Sequence, residues 1–204
     1  MKSYPSISKE TRQDLYVYAF DKLDGSNIRA EWNPKKGFYK FGTRTQLIDS
    51  NSQFGKAIPL IKEKYESDLL DIFKDHKWES VVCFFEFFGP SSFAGSHKQD
   101  EQQTVILFDA APYKHGLLEP QDFIKYFGHL DTAKLLYEGY VDTNLFDQVK
   151  QSTLPDMTFE GVVCKSANDK NTKAPIMFKI KSKAWLNKLK EYCNGDESLF
   201  QRLV

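Results

Sequence analysis

The first third of the chain alternates short hydrophobic runs with turn-forming residues. Residues 15–20 read Leu-Tyr-Val-Tyr-Ala-Phe, residues 26–32 end in Ala-Glu-Trp, and residues 38–41 are Phe-Tyr-Lys-Phe. Aromatic and β-branched residues in short runs favour strands, and Asn-Pro-Lys-Lys-Gly at 33–37 favours a turn. The pattern therefore predicts three strands, with a turn between the last two.

A second pattern, with hydrophobic residues three and four positions apart, begins after residue 52. Over residues 53–74, five hydrophobic side chains fall on one stripe, which predicts an amphipathic helix. Shorter helices are predicted over 119–127, 143–151 and 182–193. Further strands are predicted over 80–88, 104–108, 160–165 and 176–181, with a polar loop over 89–102.

Many strands mixed with a few helices predict an α+β fold with largely antiparallel sheets and flanking helices. No repeat and no Pro/Gly-rich linker divides the sequence, so we expect a single domain over residues 1–204. Hydrophobic residues make up 41% and charged residues 27%, as in ordinary soluble domains. We find no signal-peptide core and no apolar run of transmembrane length. We therefore expect a soluble cytoplasmic protein, cellular or virus-encoded, that does not bind membranes.

Charge and cysteine content narrow the function classes only slightly. The 28 basic and 28 acidic residues cancel, so the net charge does not indicate nucleic-acid binding, although the charge distribution still can. From Lys165 to Lys190 there are eight lysines and one aspartate, which is either a solvated face or a track for phosphates. Three widely spaced cysteines and four scattered histidines predict buried, reduced thiols rather than a zinc site.

Lys22 begins the segment Lys-Leu-Asp-Gly-Ser-Asn between two predicted strands. Gly25 permits a tight turn that would present Lys22 at the end of the first strand. The lysine is then either a solvated residue of a hairpin or a nucleophile. A nucleophile requires a fixed position and a lowered pKa, which partial burial or neighbouring cations supply. This segment alone leaves both interpretations open.

Glu86 is the single acid within an apolar strand and has two phenylalanines on either side. Burying an unpaired carboxylate is costly. If Glu86 faced solvent, Phe84 and Phe88 would share that exposed face, because strand side chains alternate. We therefore favour a carboxylate that faces a cleft, where it accepts ribose hydroxyls or holds a metal.

Lys179 and Lys181 are two residues apart and so lie on one face of a predicted strand. Paired cations suit a triphosphate, whose charge they neutralise in the transition state. They would also repel a neighbouring lysine and lower its pKa. The alternative is an exposed edge strand protected by lysines.

Five segments, in this order, resemble the motifs of the covalent nucleotidyltransferase superfamily, which comprises polynucleotide ligases and mRNA-capping guanylyltransferases. They are Lys22-Leu-Asp-Gly25, Phe85-Glu-Phe-Phe-Gly89, Leu107-Phe-Asp109, Glu160-Gly-Val-Val-Cys-Lys165 and Phe178-Lys-Ile-Lys181. Five motifs in the right order are far more specific than any one of them. The resemblance implies the nucleotidyltransferase domain of the ATP-grasp-like ligases.

The resemblance also implies a role for each matching residue. Lys22 would attack the α-phosphate of ATP, release pyrophosphate and carry AMP as a phosphoramidate. AMP would then pass to a 5′-phosphate end, and a 3′-hydroxyl would displace it. The other implied roles are ribose binding by Glu86, adenine stacking by Phe108 with Val163 on the other face, nucleotide binding by Asn27 and Arg44, binding of Mg²⁺ or Mn²⁺ by Glu160, and phosphate contacts by Lys179 and Lys181.

Two departures from the superfamily pattern favour its RNA ligase branch, near the phage RNA ligase 2 group. DNA ligases and capping enzymes resemble one another in having Arg two residues after the motif glycine, where this chain has Asn27. They also carry an OB-fold after the fifth motif, for which residues 182–204 are too few. Asp24, in contrast, is closer to the DNA-ligase and capping pattern.

We therefore expect an ATP-dependent RNA ligase that seals 5′-phosphate and 3′-hydroxyl ends, with a role in RNA repair. The chain would bind nucleic acid with its own surface, or a partner protein would supply a nucleic-acid-binding domain. The alternatives are a minimal ATP-dependent DNA ligase, then a GTP-using capping guanylyltransferase, then a catalytically inactive nucleic-acid-binding relative. Lys22, Glu86 and Glu160 are all intact, which argues against the inactive relative.

Overall fold

The computed structural model describes residues 1–90, 100–168 and 175–204. The strands are β1 (Tyr16–Asp21), β2 (Ser26–Asn33), β3 (Gly37–Gly42), β4 (Leu47–Ile48), β5 (Val81–Phe88), β6 (Thr104–Pro112), β7 (Leu135–Tyr140), β8 (Gly161–Asn168) and β9 (Pro175–Lys181). The helices are α1 (Ala57–Asp75), α2 (Pro120–Phe127), α3 (Thr143–Lys150), α4 (Lys183–Cys193) and α5 (Glu197–Leu203).

The strands form two sheets. The larger sheet has the order β4-β3-β2-β5-β6, and the smaller one has the order β7-β1-β8-β9. Every pairing between these named strands is antiparallel. The predicted α+β fold with antiparallel sheets and flanking helices is therefore confirmed.

Each sheet buries one face against helices, because alternate side chains of a strand point to opposite faces. The main core joins the larger sheet to the apolar stripe of α1, with Trp32, Phe85 and Leu69 all nearly inaccessible to solvent. A second core joins the smaller sheet to α3 through Val162 and Leu145. The opposite faces of both sheets carry the polar motif residues and meet around a pocket.

Some element boundaries differ from those predicted by the sequence pattern. Helix α1 begins at Ala57 rather than at residue 53, because residues 53–56 form turns around Gly55, whose N–H donates to Ser52 O. Strands β4 and β7 and helix α5 were not predicted. β7 carries no clear alternation because most of its residues are half-buried or exposed at the edge of the sheet.

The predicted polar loop at 89–102 includes residues 91–99, which lie outside the described residues.

The predicted reduced thiols are confirmed, since Cys83, Cys164 and Cys193 are all free and buried. Burial raises the pKa of Cys164 to about 12, so this thiol is unreactive at neutral pH. In the parts of the chain that the structure describes, no helix is long and apolar enough to cross a membrane.

Gly161, at the start of β8, brings the two motif strands of the smaller sheet unusually close. It has a φ of +135°, and a Cβ built on it would lie 2.1 Å from the carbonyl oxygen of Ile180 in β9. The carbonyl of Gly161 also accepts the backbone N–H of Lys22 at 2.9 Å. A side chain here would therefore strain β8 and move the backbone that carries Lys22.

We expect Gly161→Ala to lower the free energy of unfolding by about 2–4 kcal/mol, because strain and a backbone clash combine. Gly195→Ala is the matched control, since Gly195 also has a positive φ of +85° but a Cβ there meets nothing within 4 Å. Strain alone should cost the control about 1 kcal/mol. Urea unfolding of both variants measures the difference, and equal losses would contradict the close approach at Gly161.

Candidate active site

The pocket between the two sheets has a volume of about 470 Å³ and collects most of the predicted site residues. Seven of the nine line it directly, namely Lys22, Asn27, Arg44, Glu86, Phe108, Val163 and Lys179. The other two, Glu160 and Lys181, lie directly behind Lys22 and contact it in a chain of ion pairs. The structure thus brings together residues from both sheets.

Lys22 follows the last residue of β1 and points into this pocket. Its Nζ donates to Glu160 Oε2 at 2.8 Å, and only 21% of its side chain is exposed. Its backbone is held by the bond to Gly161 O described above. Lys22 is therefore a fixed, partly buried lysine, and the interpretation of it as a solvated hairpin residue is wrong.

Glu160 is shared between two lysines. Its Oε1 accepts from Lys181 Nζ at 2.8 Å, while Oε2 accepts from Lys22, and only 4% of the Glu160 side chain is exposed. One buried carboxylate thus faces two ammonium groups. These three groups alone carry a net charge of +1, and the carboxylate of Asp24 also attracts both lysines.

The pKa of Lys22 does not follow the sequence-based expectation. Burial lowers it, but the nearby carboxylates of Glu160 and Glu86 outweigh that effect, so the pKa is raised above its ordinary value. The expected net lowering is therefore wrong: repulsion among the three lysines exists, since Lys22 lowers the pKa values of Lys179 and Lys181, but it does not decide the direction for Lys22. Lys22 is an ammonium ion here and must lose a proton before it can act as a nucleophile.

The pKa values of the two lysines of β9 are lowered, in contrast to that of Lys22. Burial, together with repulsion from Lys181 and Lys22, lowers the pKa of Lys179 to about 8. Burial and repulsion from Lys22 also lower the pKa of Lys181, against the attraction of Glu160. Lys179 lines the pocket and donates to the backbone oxygen of Val204 at 2.8 Å. The predicted common face of these two lysines is confirmed by the register of β9 with β8, which places Lys179 opposite Val163 and Lys181 opposite Gly161, two residues away on the same face.

Glu86 lies on β5 opposite Asn27 of β2 and faces the pocket, as predicted. Its neighbours Phe85 and Phe87 point the other way, into the main core. Burial raises the pKa of Glu86 to about 8, although Lys22 partly offsets the shift. Glu86 is therefore largely protonated at neutral pH when the pocket is empty. Asn27 Oδ1 is buried and has no hydrogen-bond partner among the described residues, so it is available to a ligand.

Phe108 owes its position to a β-bulge that the sequence did not predict. The register of β6 against β5 shifts there, with Phe84 opposite Asp109 and Phe85 opposite Leu107. Phe108 is thus the extra residue, which turns its ring toward the pocket that Val163 also lines. This arrangement places an aromatic face and an aliphatic side chain at one end of the pocket.

A buried group of three polar residues supports the bulge. Lys165 Nζ donates to the carbonyl of Phe108 at 3.1 Å and to Asp109 Oδ2 at 2.8 Å. The hydroxyl of Tyr4 donates to the same Asp109 oxygen at 2.9 Å. Lys165 belongs to the fourth motif, but the contribution of Tyr4 was missed, because a single tyrosine near the start of the chain carries no recognisable signal.

The N-terminal residues contribute more of the pocket than the sequence indicated. Pro5, Ser6 and Ile7 line it, and Ser8 forms a parallel bridge with Phe178 of β9. Arg44, which the resemblance singled out, lies on the pocket wall and donates to Ser6 Oγ at 2.9 Å. Lys9 and Arg202 also line the pocket and add positive charge to its wall.

The predicted basic track from Lys165 to Lys190 does not form one surface. Lys165 is buried, and Lys179 and Lys181 belong to the pocket and the group behind it. Lys183, Lys188 and Lys190 are exposed on α4, and residues 169–174 lie outside the described residues. The segment thus divides into a pocket part and a solvated helix.

The pocket fits a metal ion that arrives with phosphates better than a resident ion. Among the described residues, no group of three or more His, Cys, Asp or Glu side chains is placed to hold a metal. Both oxygens of Glu160 are occupied by lysines. A Mg²⁺ ion that keeps several waters and uses substrate phosphates needs only one or two carboxylates, and Glu160 would serve as one only after Lys22 or Lys181 released an oxygen.

The raised pKa of Glu86 predicts a pH-dependent stability. Between about pH 4.3 and pH 8 the unfolded chain loses the Glu86 proton and the folded chain keeps it, so the wild type loses stability across this range. Glu86→Gln removes this effect. We expect it to gain about 1–3 kcal/mol over the wild type on going from pH 5 to pH 8.

Urea unfolding at several pH values measures this difference. Glu63, exposed on α1, provides the control variant Glu63→Gln, which should track the wild type. A Glu86→Gln variant that stays parallel to the wild type at all pH values would show that the carboxyl ionises freely.

The chain is similar to known proteins in sequence and in fold. The family model described as RNA ligase matches residues 15–181, which include all five motifs. A comparison with curated protein sequences gave no match. The similar solved structures include the Naegleria gruberi RNA ligase with PPi, with a TM-score of 0.63 and 16% identity over 92% of this chain and 60% of that chain.

Two further structures of the same ligase show the same fold. Its K170M mutant with AMP and Mn has a TM-score of 0.62 and 17% identity over 91% of this chain and 59% of that chain. Its K326A mutant with ATP and Mn has a TM-score of 0.56 and 16% identity over 86% of this chain and 52% of that chain. This chain therefore spans about three fifths or less of the length of these ligases. Because the family model covers most of the sequence, the chain belongs to the RNA ligase family.

Proposed function

We propose that this protein is an ATP-dependent RNA ligase that works through a lysyl-AMP intermediate on Lys22. The observation that carries the proposal is the position of Lys22, whose Nζ enters the pocket while Glu160, 2.8 Å away, ties it to Lys181. A nucleophilic lysine needs such a fixed position.

The first step would be attack of the neutral Lys22 amine on the α-phosphorus of ATP. The Nζ–P bond forms, the bond from the α-phosphorus to the bridging oxygen of the β-phosphate breaks, and pyrophosphate leaves. The proton on Nζ passes to an acceptor, for which Glu160 Oε2 is already in hydrogen-bonding contact. A polyanionic triphosphate that enters beside Lys179 would supply negative charge opposite the lysines of the pocket wall and of the group behind it.

The rest of the pocket suits the nucleoside. Phe108 and Val163 would hold the adenine between them, and Glu86, protonated at neutral pH, would donate to or accept from a ribose hydroxyl. Asn27, with its unpartnered buried oxygen, and Arg44 on the pocket wall would contact the ribose or the phosphate. A divalent ion bound with the phosphates and held by Glu160 would supply further charge neutralisation.

The second and third steps would transfer AMP to a 5′-phosphate and join the ends. The 5′-phosphate oxygen attacks the phosphorus of lysyl-AMP and releases Lys22. A 3′-hydroxyl then attacks the new 5′,5′-pyrophosphate bond, so that the phosphodiester forms and AMP leaves. The family match and the fold shared with the Naegleria gruberi RNA ligase structures support RNA as the substrate. Those structures contain ATP, AMP, Mn or PPi, which supports ATP and a divalent ion here.

Three alternatives differ in measurable ways. A minimal DNA ligase would share the chemistry and prefer DNA ends, and a capping guanylyltransferase would accept GTP. An inactive relative would bind nucleic acid without forming a covalent intermediate. A partner protein that supplies a nucleic-acid-binding domain is compatible with either ligase, because lysyl-AMP formation needs only the pocket.

The first test is covalent labelling with α-labelled ATP and Mg²⁺, after removal of any pre-bound AMP. We expect label on the wild type from ATP but not from GTP, and a loss of at least about 100-fold in Lys22→Ala. Lys22→Arg keeps a cation beside Glu160 but cannot supply a neutral amine at ordinary pH, so it should fold and remain unlabelled. Lys134→Ala is the control, because Lys134 is 60% exposed. Absence of label from both nucleotides would support the inactive relative.

The second test is joining of matched RNA and DNA strands with 5′-phosphate and 3′-hydroxyl ends. We expect a joined RNA product, and none from strands with a 5′-hydroxyl, because AMP must be transferred to a phosphate. Gel separation of end-labelled strands measures both. Joining of DNA alone would contradict the RNA assignment. A normal lysyl-AMP signal without joining of any strand would contradict a stand-alone ligase and indicate the need for a partner protein.

A further inference from the structure

Lys181 is a buried cation that is incompletely compensated. Only 9% of its side chain is exposed, and its partner Glu160 is shared with Lys22. A lysine ammonium in such a position tends either to lose its proton or to move to water, because burial disfavours the charged form. Nucleotidyl transfer at Lys22 needs the opposite, a protonated Lys181 that stays in place behind the nucleophile.

The carboxylate of Asp24 also attracts Lys181, and the indole of Trp185 contacts it directly. Lys181 Nζ lies 3.5 Å from the centroid of the Trp185 ring, and Trp185 itself is 2% exposed. An ammonium at this distance from a ring face is attracted by the ring quadrupole, and tryptophan provides the strongest such attraction. Desolvation strengthens the interaction, and both partners here are buried.

The first turn of α4 fixes the ring relative to Glu160. Ser182 caps the helix, since its Oγ accepts the backbone N–H of Trp185 at 3.0 Å. The same Ser182 Oγ donates to Phe159 O at 2.7 Å, and the Ser182 N–H donates to Glu160 O at 2.9 Å. Ser182 thus links the backbone of Trp185 to that of Phe159 and Glu160. This link fixes the indole relative to the Glu160 carboxylate and the Lys181 ammonium.

Packing alone does not explain a tryptophan at this position. Trp185 does pack with Leu189 and Cys193 in a small apolar cluster, but leucine or phenylalanine would fill such a place. Its Nε1 is buried and has no hydrogen-bond partner among the described residues. A buried indole N–H usually finds a partner, and leaving it without one is costly. The polar contact of the Trp185 ring is therefore made by its face, to the Lys181 ammonium, and not by its N–H.

We propose that Trp185 is a positioning residue for nucleotidyl transfer, whose indole face holds the protonated Lys181 in place beside Glu160. This inference rests on the proposed function of Lys22. A ring face attracts an ammonium without taking its proton or cancelling its charge. The Lys181 ammonium therefore stays positive and in place, where its charge is available to the α-phosphate as negative charge redistributes in the transition state.

The direct test is graded fluorination of the indole at position 185. Site-specific incorporation of mono-, di-, tri- and tetrafluorotryptophan weakens the ring quadrupole stepwise and leaves the shape of the side chain nearly unchanged. We expect the maximal single-turnover rate of lysyl-AMP formation to fall stepwise with each fluorine, by roughly tenfold over the series. The ATP concentration at half-maximal rate should change by less than about threefold. A flat series would overturn the inference.

Substitution of Trp185 by other natural amino acids gives a second measurement. Trp185→Phe keeps an aromatic face and Trp185→Leu keeps only apolar volume, so we expect labelling rates in the order Trp, Phe, Leu. Trp78→Leu is the control, because Trp78 stacks on His76 and lies outside the pocket lining. Its labelling rate should equal that of the wild type. Equal rates for Trp185→Phe and Trp185→Leu would contradict a role for the ring.

A double-mutant cycle on the melting temperature tests the contact between Trp185 and Lys181 without any measurement of catalysis. Fluorination at position 185 should lower the melting temperature when Lys181 is present and should have a smaller effect in a Lys181→Met background. An equal effect in both backgrounds would show that the ring does not interact with the ammonium. If the wild type forms no lysyl-AMP, the proposed function fails while this cycle still reports on the contact. If the wild type is labelled but the fluorinated series is flat, only the inference fails.

Discussion

The carboxylate of Glu160 accepts hydrogen bonds from two lysines that come from different strands, and the rest of the site depends on this arrangement. Lys22 follows β1, Lys181 ends β9, and Glu160 immediately precedes β8, which lies between them in the sheet. Glu160 thereby holds two ammonium groups close together, each 2.8 Å from one of its oxygens. With Lys179 on the pocket wall, three lysines converge, and this convergence suits the site to an anionic phosphate.

Burial and the nearest charges together set the pKa shifts around the pocket. Lys22, closest to the carboxylates, has a raised pKa, whereas Lys179, facing other cations, has a pKa lowered to about 8. Glu86 stays protonated because burial outweighs the attraction of Lys22. A triphosphate would add negative charge beside Lys179, which favours the ammonium form of that lysine. The same charge favours the ammonium form of Lys22, so the proton on Lys22 Nζ must pass to an acceptor before attack.

Much of the site could be predicted because strand alternation is a local property. A period of two suffices to place Lys179 and Lys181 on one face, and the apolar neighbours of Glu86 suffice to turn that carboxylate toward a cleft. The spacing of hydrophobic residues likewise predicted helix α1, apart from the position of its first turn. The unpredicted elements, β7 and α5, lack strong periodicity because they are short and largely exposed.

The amino-acid sequence by itself determined the fold class, the order of the motifs and the direction of their side chains, since these depend on neighbouring residues. Only the tertiary structure decided which distant groups meet. It placed Glu160 against Lys22, 138 residues earlier, shifted the register at Phe108 and set Trp185 over Lys181. The sign of the Lys22 pKa shift was predicted wrongly for the same reason. Electrostatic effects depend on distances between remote charges and on burial, and neither quantity is encoded in local sequence patterns.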